Sequence, residues 1–190
     1  MKALTVVIPN KFGQTPELTI RTLYQQTFTD FDTIIINDLI GNANRARNKG
    51  LKLVTTPYVL FSDNDIDWQP QALRLMYDCL ENNPTVSIAY GSFRLAGTAY
   101  TNEEWNVTEL KKHNLASTMS MVRTAHHPGF DEKISRLQDW DVWLTMVEQK
   151  RTAKYIGAEV FTTPKREGIS TGILSYEEAL LILKKKHNLL

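Results

Sequence analysis

The stretch Tyr58–Asp65 reads YVLFSDND: four apolar residues in a row, a serine, and then the triplet Asp63-Asn64-Asp65. An unbroken apolar run of this length is typical of a strand buried on both faces, as in a parallel sheet. It predicts a short strand over Tyr58–Asp63. Three other runs have the same character and predict further strands: Leu4–Pro9, Thr33–Asp38 and Val86–Tyr90.

Helical patterns separate these strands. Thr15-Pro16-Glu17 is typical of a helix start, with Thr15 as N-cap, a proline at the first helical position and an acid in the first turn. Asn42–Val54 and Pro70–Asn82 are predicted to be the next two helices. The β-α-β-α-β-α-β order with short connections predicts an α/β fold with a mainly parallel sheet. Ligands of such sheets bind beyond the carboxyl ends of the strands.

The second half of the chain has a less regular pattern. Ser117–Arg123 is predicted to be a strand, and Asp139–Gln149 a helix whose apolar side carries two tryptophans. Thr162–Leu174 is predicted to be an open loop. Ser175-Tyr176-Glu177-Glu178 has the spacing of a capping box and predicts a last helix.

The composition narrows the class of protein. A chain of 190 residues with 42% apolar residues fits one compact domain, and no linker or repeat divides it. A net charge of +1 offers no basic surface for nucleic acid. The single cysteine, Cys79, excludes an internal disulfide framework. Since no apolar segment approaches the roughly 20 residues that span a bilayer, we expect a cytoplasmic protein without a transmembrane segment.

Residues at the predicted strand ends are the first candidates for a site. Strand one ends in Pro9-Asn10-Lys11-Phe12-Gly13, which lacks the glycine pattern of a Rossmann dinucleotide site. Asp38, at the end of strand two, can accept hydrogen bonds from a nucleoside or can cap the next turn, and the sequence leaves both open. An isolated Asp-x-Asp triplet is often a polar turn. Here Asp63 and Asp65 follow a buried strand, and two carboxylates there suit Mg²⁺ or Mn²⁺ and a bound diphosphate.

Three other groups have two interpretations each. Arg47, on the second predicted helix, can contact a phosphate with its guanidinium or can be a solvated surface charge. Asp139 opens a helix beside Trp140, where it can act as a general base or can be an ordinary N-terminal helix acid. Lys165 and Arg166, in the late loop, can close over phosphates or remain solvated. His126-His127 lacks metal-ligand spacing and is predicted to lie in a turn.

Taken together, these motifs resemble the inverting family 2 glycosyltransferases of the GT-A fold. The similarity runs from Thr5 to about Leu144, and the order and spacing of its motifs carry it. The motifs are Val6-Val7-Ile8-Pro9, Gln26-Thr27-Phe28, Ile36-Asn37-Asp38, Ala46-Arg47-Asn48-Lys49-Gly50-Leu51, Pro57–Asp65 with Trp68, Gly129-Phe130-Asp131-Glu132 and Gln138-Asp139-Trp140-Asp141-Val142-Trp143.

The resemblance implies a three-layer α/β/α sandwich and a role for each matching residue. Pro9, Asn10 and Asp38 would bind the nucleoside, and Arg47 would contact the nucleotide. Asp63 and Asp65 would be the acids of the D-x-D motif, with Asp65 the direct ligand of Mn²⁺ or Mg²⁺. Asp139 would be the catalytic base, and Asp141 would support it.

The implied reaction transfers a sugar from a UDP- or GDP-sugar to a hydroxyl of a carbohydrate, lipid-linked or protein acceptor, with inversion. Residues 1–91 would form the nucleotide-binding half, and residues 92–190 the half that binds the acceptor and holds the base. Two alternatives stay open at this point. One is a sugar nucleotidyltransferase, which requires a glycine-rich loop that Asn10–Gln14 does not supply. The other is a GT-A-like binding domain without turnover.

Overall fold

Eight strands form one sheet in this structure, a computed structural model that describes residues 2–38, 42–164 and 174–189. Strands and helices alternate along most of the first half of the chain, and the fold is α/β, as predicted. The strands are β1 (Leu4–Lys11), β2 (Phe31–Asp38), β3 (Tyr58–Phe61), β4 (Asp67–Trp68), β5 (Ile88–Leu95), β6 (Thr98–Tyr100), β7 (Met121–Arg123) and β8 (Ala153–Thr163). The helices are α1 (Glu17–Tyr24), α2 (Ala43–Leu51), α3 (Ala72–Glu81), α4 (Val107–Leu110), α5 (Gln138–Glu148) and α6 (Tyr176–Lys186).

The sheet is mixed, with the strand order β2-β1-β3-β7-β5-β8-β4 and with β6 paired to β5. Strands β1, β2, β3, β5 and β8 run in one direction, so the prediction of a mainly parallel sheet is confirmed. Strand β7 lies between β3 and β5 and is antiparallel to both. A strand from later in the chain therefore separates β3 from β5 in the sheet.

Alternate residues of the central strands enter two different cores. Val6, Ile8 and Leu60 face a cluster that includes residues of α1 and α3. Val7 and Phe61 face a second cluster, which includes residues of α5 and α6. Because successive side chains of a strand point to opposite faces, an unbroken apolar run is what a sheet covered on both faces requires.

The helix starts differ in how well the sequence predicts them. Asn42 caps α2 by accepting a hydrogen bond from the Arg45 N–H at 3.0 Å. The capping box of Ser175 and Glu178 is present at the start of α6. The prediction that Thr15 caps the first helix is wrong, because Pro16 occupies the cap position and no side chain caps that helix. The Thr15 hydroxyl instead donates to the Glu17 carboxylate at 3.3 Å.

The second half departs further from the prediction. Strand β8 was not predicted, although it is an interior strand between β5 and β4. Only Met121–Arg123 of the predicted strand over Ser117–Arg123 forms β7. The predicted loop Thr162–Leu174 begins inside β8, and residues 165–173 lie outside the described part of the chain.

The helices are short. The longest that the structure describes, α5 and α6, have 11 residues each, whereas a bilayer-spanning helix needs about 20. Within residues 2–38, 42–164 and 174–189, no helix has the length and apolar character needed to cross a membrane.

Candidate active site

Side-chain amides connect the carboxyl ends of β1 and β2 to the Asp63–Asp65 segment. Asn10 is buried and donates to Oδ1 of Asn37 at 2.8 Å and to the Gln14 carbonyl at 2.7 Å. Its own Oδ1 accepts from Asn64 at 2.8 Å. The hydrogen-bonding capacity of the Asn10 amide is therefore largely used, and the middle residue of the acidic triplet is fixed against the sheet edge.

Asp38 connects the end of β2 to α2. Its buried carboxylate accepts from Arg45 Nη2 at 2.6 Å and from the Asn42 N–H at 2.9 Å. Burial alone would raise the pKa of Asp38, but the hydrogen bonds from Arg45 and Asn42 and the charges of Arg45 and Lys49 outweigh it and lower the pKa. The carboxylate therefore has the capping role that the sequence left open. Its contact with a nucleoside stays a prediction.

Arg47 is buried, with its side chain 3% exposed. Its Nη2 donates to Asp63 Oδ1 at 2.7 Å, and its Nη1 donates to Asn44 Oδ1 at 3.1 Å. The guanidinium lies 5.3 Å from the centre of the Phe130 ring, and its buried Nε has no partner among the described residues. The interpretation of Arg47 as a solvated surface charge is therefore wrong. The structure instead presents a buried cation at the sheet edge.

Contacts from α1 fix the loop that carries the acidic triplet. The Thr19 hydroxyl donates to the Asp63 carbonyl at 2.9 Å and accepts from the Ile66 N–H at 2.8 Å. Trp68 donates from Nε1 to the Ser62 hydroxyl at 3.0 Å. Both ends of the triplet are thereby held, while the Asp63 side chain remains 44% exposed.

The acids of this loop have the chemistry of ligands for a divalent cation. Asp63 and Asp65 supply hard carboxylate oxygens, the ligand type that Mg²⁺ and Mn²⁺ prefer, and both side chains are partly exposed. Among the described residues, no group of three or more His, Cys, Asp or Glu side chains has the arrangement of a protein-only metal site.

Asp139 lies in the first turn of α5, and its Oδ1 accepts from the Trp140 N–H at 2.9 Å. Burial raises the pKa of Asp139, and the Trp140 N–H, the Arg47 charge and the Asn114 amide offset this only in part. Arg47 thus acts electrostatically on Asp139 while it is ion-paired with Asp63. Contacts of α2 also reach the segment that leads into α5, because the Arg47 guanidinium packs on Phe130 and Asn44 donates to the Asp131 and Ile134 carbonyls.

The predicted supporting residues have different positions. Asp141 is buried, and its carboxylate faces the C-terminal end of α6, where Lys186 and His187 contact it at 2.9 and 2.8 Å. Lys165 and Arg166 lie outside the described residues.

Several residues at the site carry no signal that singles them out in the sequence. His127, predicted to be a turn residue, lies 5.0 Å from the Phe61 ring and 5.1 Å from the Phe130 ring. Its Nδ1 accepts from the Gly129 N–H at 3.0 Å, and burial lowers its pKa to about 3, so the ring is neutral near pH 7. Thr19 and Asn64 were missed because single polar residues of these types have many uses.

The sequence profile described as Glycosyl transferase family 2 matches residues 41–136, just over half of the 190-residue chain. The chain belongs to glycosyltransferase family 2. The matched range includes Arg47, Asp63 and Asp65 and ends shortly before Asp139. An uncharacterized glycosyltransferase of Haemophilus influenzae is 21% identical over 226 residues, which cover 97% of this chain and 76% of that relative.

Solved structures of S. aureus TarS resemble this family 2 chain in fold. The TarS fragment 1–349 in complex with UDP-GlcNAc matches with a TM-score of 0.77 at 16% identity, over 98% of this chain and 66% of that one. Another TarS structure matches with a TM-score of 0.73 at 13% identity, over 98% of this chain and 39% of that one. This chain therefore spans between 39% and 66% of the length of these two structures. At such identities the likeness shows the fold alone, which is the GT-A arrangement that the resemblance implied.

Proposed function

We propose that this chain moves a sugar from a nucleoside-diphosphate donor to an acceptor hydroxyl by a single displacement that inverts the anomeric carbon. The observation that carries the proposal is the position of Arg47, which is ion-paired with Asp63 and packs on Phe130, in the segment that leads into the helix of Asp139. A diphosphate bound beside Asp63 and a hydroxyl bound beside Asp139 would then share one site.

The donor nucleotide would bind along the half formed by residues 1–91. Pro9, Asn10 and Asp38 lie at the carboxyl ends of β1 and β2, and there they would border the nucleoside. The TarS fragment was solved in complex with UDP-GlcNAc, which makes UDP-sugars the first donors to test and GDP-sugars the second. The acceptor is a carbohydrate, lipid-linked or protein hydroxyl and would bind along residues 92–190.

Asp65 and Asp63 would hold Mn²⁺ or Mg²⁺. Such a cation neutralises the charge that develops on a departing diphosphate, which otherwise raises the barrier. Arg47 adds a fixed positive charge beside Asp63.

Asp139 would take the proton of the acceptor hydroxyl as its oxygen attacks the anomeric carbon. A new carbon–oxygen bond forms there, and the bond from that carbon to the diphosphate oxygen breaks. The electron pair of that bond leaves with the nucleoside diphosphate. Burial of Asp139 makes it a stronger base than an exposed aspartate, which suits proton transfer near neutral pH.

Membership of a glycosyltransferase family argues against the two alternatives that the sequence left open. A sugar nucleotidyltransferase would release pyrophosphate from a nucleoside triphosphate and a sugar 1-phosphate. A binding domain would bind nucleotide without turning it over.

A nucleotide screen with a turnover assay tests the proposal. Thermal shift is measured with UDP, GDP and dTDP, with and without Mn²⁺, and nucleotide release is then followed from the matching sugars. A ligand at 100 times its Kd stabilises by about 2.7 kcal/mol, which should raise Tm by about 5–10 °C for a chain of this size. We expect UDP with Mn²⁺ to give such a shift and UDP-GlcNAc to release UDP slowly. Binding without release, or pyrophosphate release from UTP and GlcNAc 1-phosphate, would contradict the proposal.

A further inference from the structure

Two basic side chains at the end of α6 contact the helix that carries Asp139. Asp141 lies two residues after Asp139 in α5 and is 3% exposed. Lys186, the last residue of α6, donates to its carboxylate at 2.9 Å, and His187 Nε2 lies 2.8 Å from Asp141 Oδ1. A buried carboxylate is costly to leave unpaired, so these contacts strongly constrain the first turn of α5.

Each of the two basic side chains also contacts a second acid. Lys186 donates to Asp131 Oδ2 at 3.0 Å, and His187 Nδ1 lies 2.7 Å from Glu148 Oε1. Because both ring nitrogens of His187 face carboxylates, only the protonated imidazolium can donate to both. Burial alone would lower the pKa of His187, but the hydrogen bonds and charges of Asp141 and Glu148 outweigh it and raise the pKa.

The Asp131 contact extends this network to α2. Asn44 of α2 donates to the Asp131 carbonyl at 2.9 Å and to the Ile134 carbonyl at 2.7 Å. Arg47 is on the same helix, three residues after Asn44. Lys186 is therefore a bridge between the loop bound to the helix of Arg47 and the helix of Asp139.

We propose that Lys186 and His187 are positioning residues for glycosyl transfer, which set the place of Asp139 relative to Arg47 by joining α6 to α5 and to the loop at Asp131. We call these contacts the C-terminal clasp. The inference rests on the proposed function, since it assigns the clasp to the same reaction. Neither residue would touch substrate, and each would act through Asp141.

Matched substitutions at neighbouring lysines test the clasp. Lys186→Met removes the charge but keeps much of the side-chain length, Lys186→Arg keeps the charge, and Lys185→Met changes an exposed neighbour on the same helix. We expect Lys186→Met to lower kcat for UDP release from UDP-GlcNAc by about tenfold to a hundredfold, the effect of displacing a catalytic group by about 1 Å. KM for the donor should change little, Lys186→Arg should restore most of kcat, and Lys185→Met should behave as wild type. A wild-type kcat in Lys186→Met would overturn the proposal.

The pH dependence of kcat in His187→Gln distinguishes the proposed positioning role of His187 from a purely structural one. In the wild type, deprotonation of His187 above its raised pKa removes one of its two donors, so kcat should fall on the alkaline side. The groups that face the ring are Asp141 and Glu148 of α5, with Lys186 beside it on α6. Glutamine does not titrate, so we expect His187→Gln to have a lower kcat and to lack this alkaline decline. An unchanged alkaline decline in the variant would overturn the role of His187.

Hydrogen exchange separates failure of the clasp from failure of the proposed function. Amides of the first turn of α5 should exchange faster in Lys186→Met than in Lys185→Met, whether or not a donor is turned over. Unchanged exchange would overturn the clasp. If the wild type releases no UDP, the proposed function fails. Faster exchange in an inactive protein would then overturn the catalytic role of the clasp.

Discussion

Arg47 is a buried guanidinium whose charge acts on two carboxylates. A cation removed from water is unfavourable unless acids and hydrogen-bond acceptors compensate it. Asp63 and Asn44 supply those contacts at 2.7 and 3.1 Å. The charge of Arg47 also lowers the pKa of Asp139, against the larger effect of burial. The ionisation of Asp139, the proposed base, is therefore coupled to Arg47, the residue proposed to contact the donor diphosphate.

This coupling gives a pH dependence with a defined sign. Burial raises the pKa of Asp139, so the deprotonated base, and with it kcat/KM, should be lost as pH falls through that raised pKa. Arg47→Met removes a charge that lowers this pKa, so the acidic limb of the profile should move to higher pH. Arg47→Lys keeps a charge and should move it less. Profiles of log kcat/KM against pH measure both, and an acidic limb in the same place for Arg47→Met would contradict the coupling.

A comparison of Asp65 with the nearby acid Asp67 tests whether Asp65 is a metal ligand. We expect Asp65→Asn to lose most of the additional thermal stabilisation that Mn²⁺ gives in the presence of UDP, because a neutral amide is a weaker ligand for a hard cation. Asp67, two residues later in β4, is exposed and serves as the matched control. Asp67→Asn should keep the full effect of Mn²⁺. Equal Mn²⁺ dependence in the two variants would remove Asp65 from the metal site.

At the scale of single residues, the sequence predicted what its local pattern determines. Asp63 and Asp65 directly follow a buried apolar run, which places them at the sheet edge. The surroundings of Arg47 were not predictable, because its partners Asp63 and Phe130 come from distant parts of the chain and burial of a helical arginine leaves no local signal. The roles of Asn64 and Thr19 depend on such contacts too.

Among the elements, α2 decides how closely Arg47 approaches the sheet. Gly50 of this helix is buried against β1 and β2, where an added Cβ would overlap Val7 Cγ1 and lie 3.3 Å from Ile36 Cγ1. Val7 is fully buried and has little room to move. The absence of a side chain at Gly50 therefore allows the close packing of the helix that carries Arg47.

The substitution Gly50→Ala has two opposing effects on the free energy of unfolding. Alanine favours the helical state by about 1 kcal/mol over glycine, whereas overpacking a rigid core costs about 1–3 kcal/mol. Because the neighbour is a buried β-branched side chain, we expect a steric cost in the upper part of this range, about 2–3 kcal/mol, and therefore a net loss of about 1–2 kcal/mol. Urea denaturation measures the free energy of unfolding, with Lys52→Ala, an exposed change at the end of α2, as control. A Gly50→Ala protein as stable as wild type would show that α2 packs less closely than described.

The elements also show where pattern reasoning stops. Strands β1, β2 and β3 were predicted because each contains a recognisable apolar run. Strand β8 was missed because its polarity does not alternate, Gly157 has a φ of 69°, and its pairing with β5 changes register twice. Strand β8 is buried because β5 and β4 lie on its two sides, and the sequence of β8 alone does not predict these neighbours.

For the whole molecule, the order of strands is a long-range property. The sequence predicted an α/β fold with a mainly parallel sheet, and the resemblance implied the GT-A arrangement. The insertion of β7 between β3 and β5 was not predictable from a β-α-β pattern. The antiparallel pairing of segments that lie far apart in the sequence depends on how the whole chain packs. The C-terminal clasp is a contact of the same kind, since Lys186 meets acids 45 and 55 residues earlier in the chain.

The account depends most on Asp139 and the acidic triplet acting in one site, and a comparison of binding with turnover tests this directly. UDP release from UDP-GlcNAc and the thermal shift by UDP with Mn²⁺ are measured for wild type, Asp139→Asn and Asp32→Asn, the last an exposed acid of β2. We expect Asp139→Asn to keep the thermal shift and to lose about 10²–10⁴ in rate, the usual contribution of a general base, while Asp32→Asn matches wild type. Near-normal UDP release by Asp139→Asn would contradict the account.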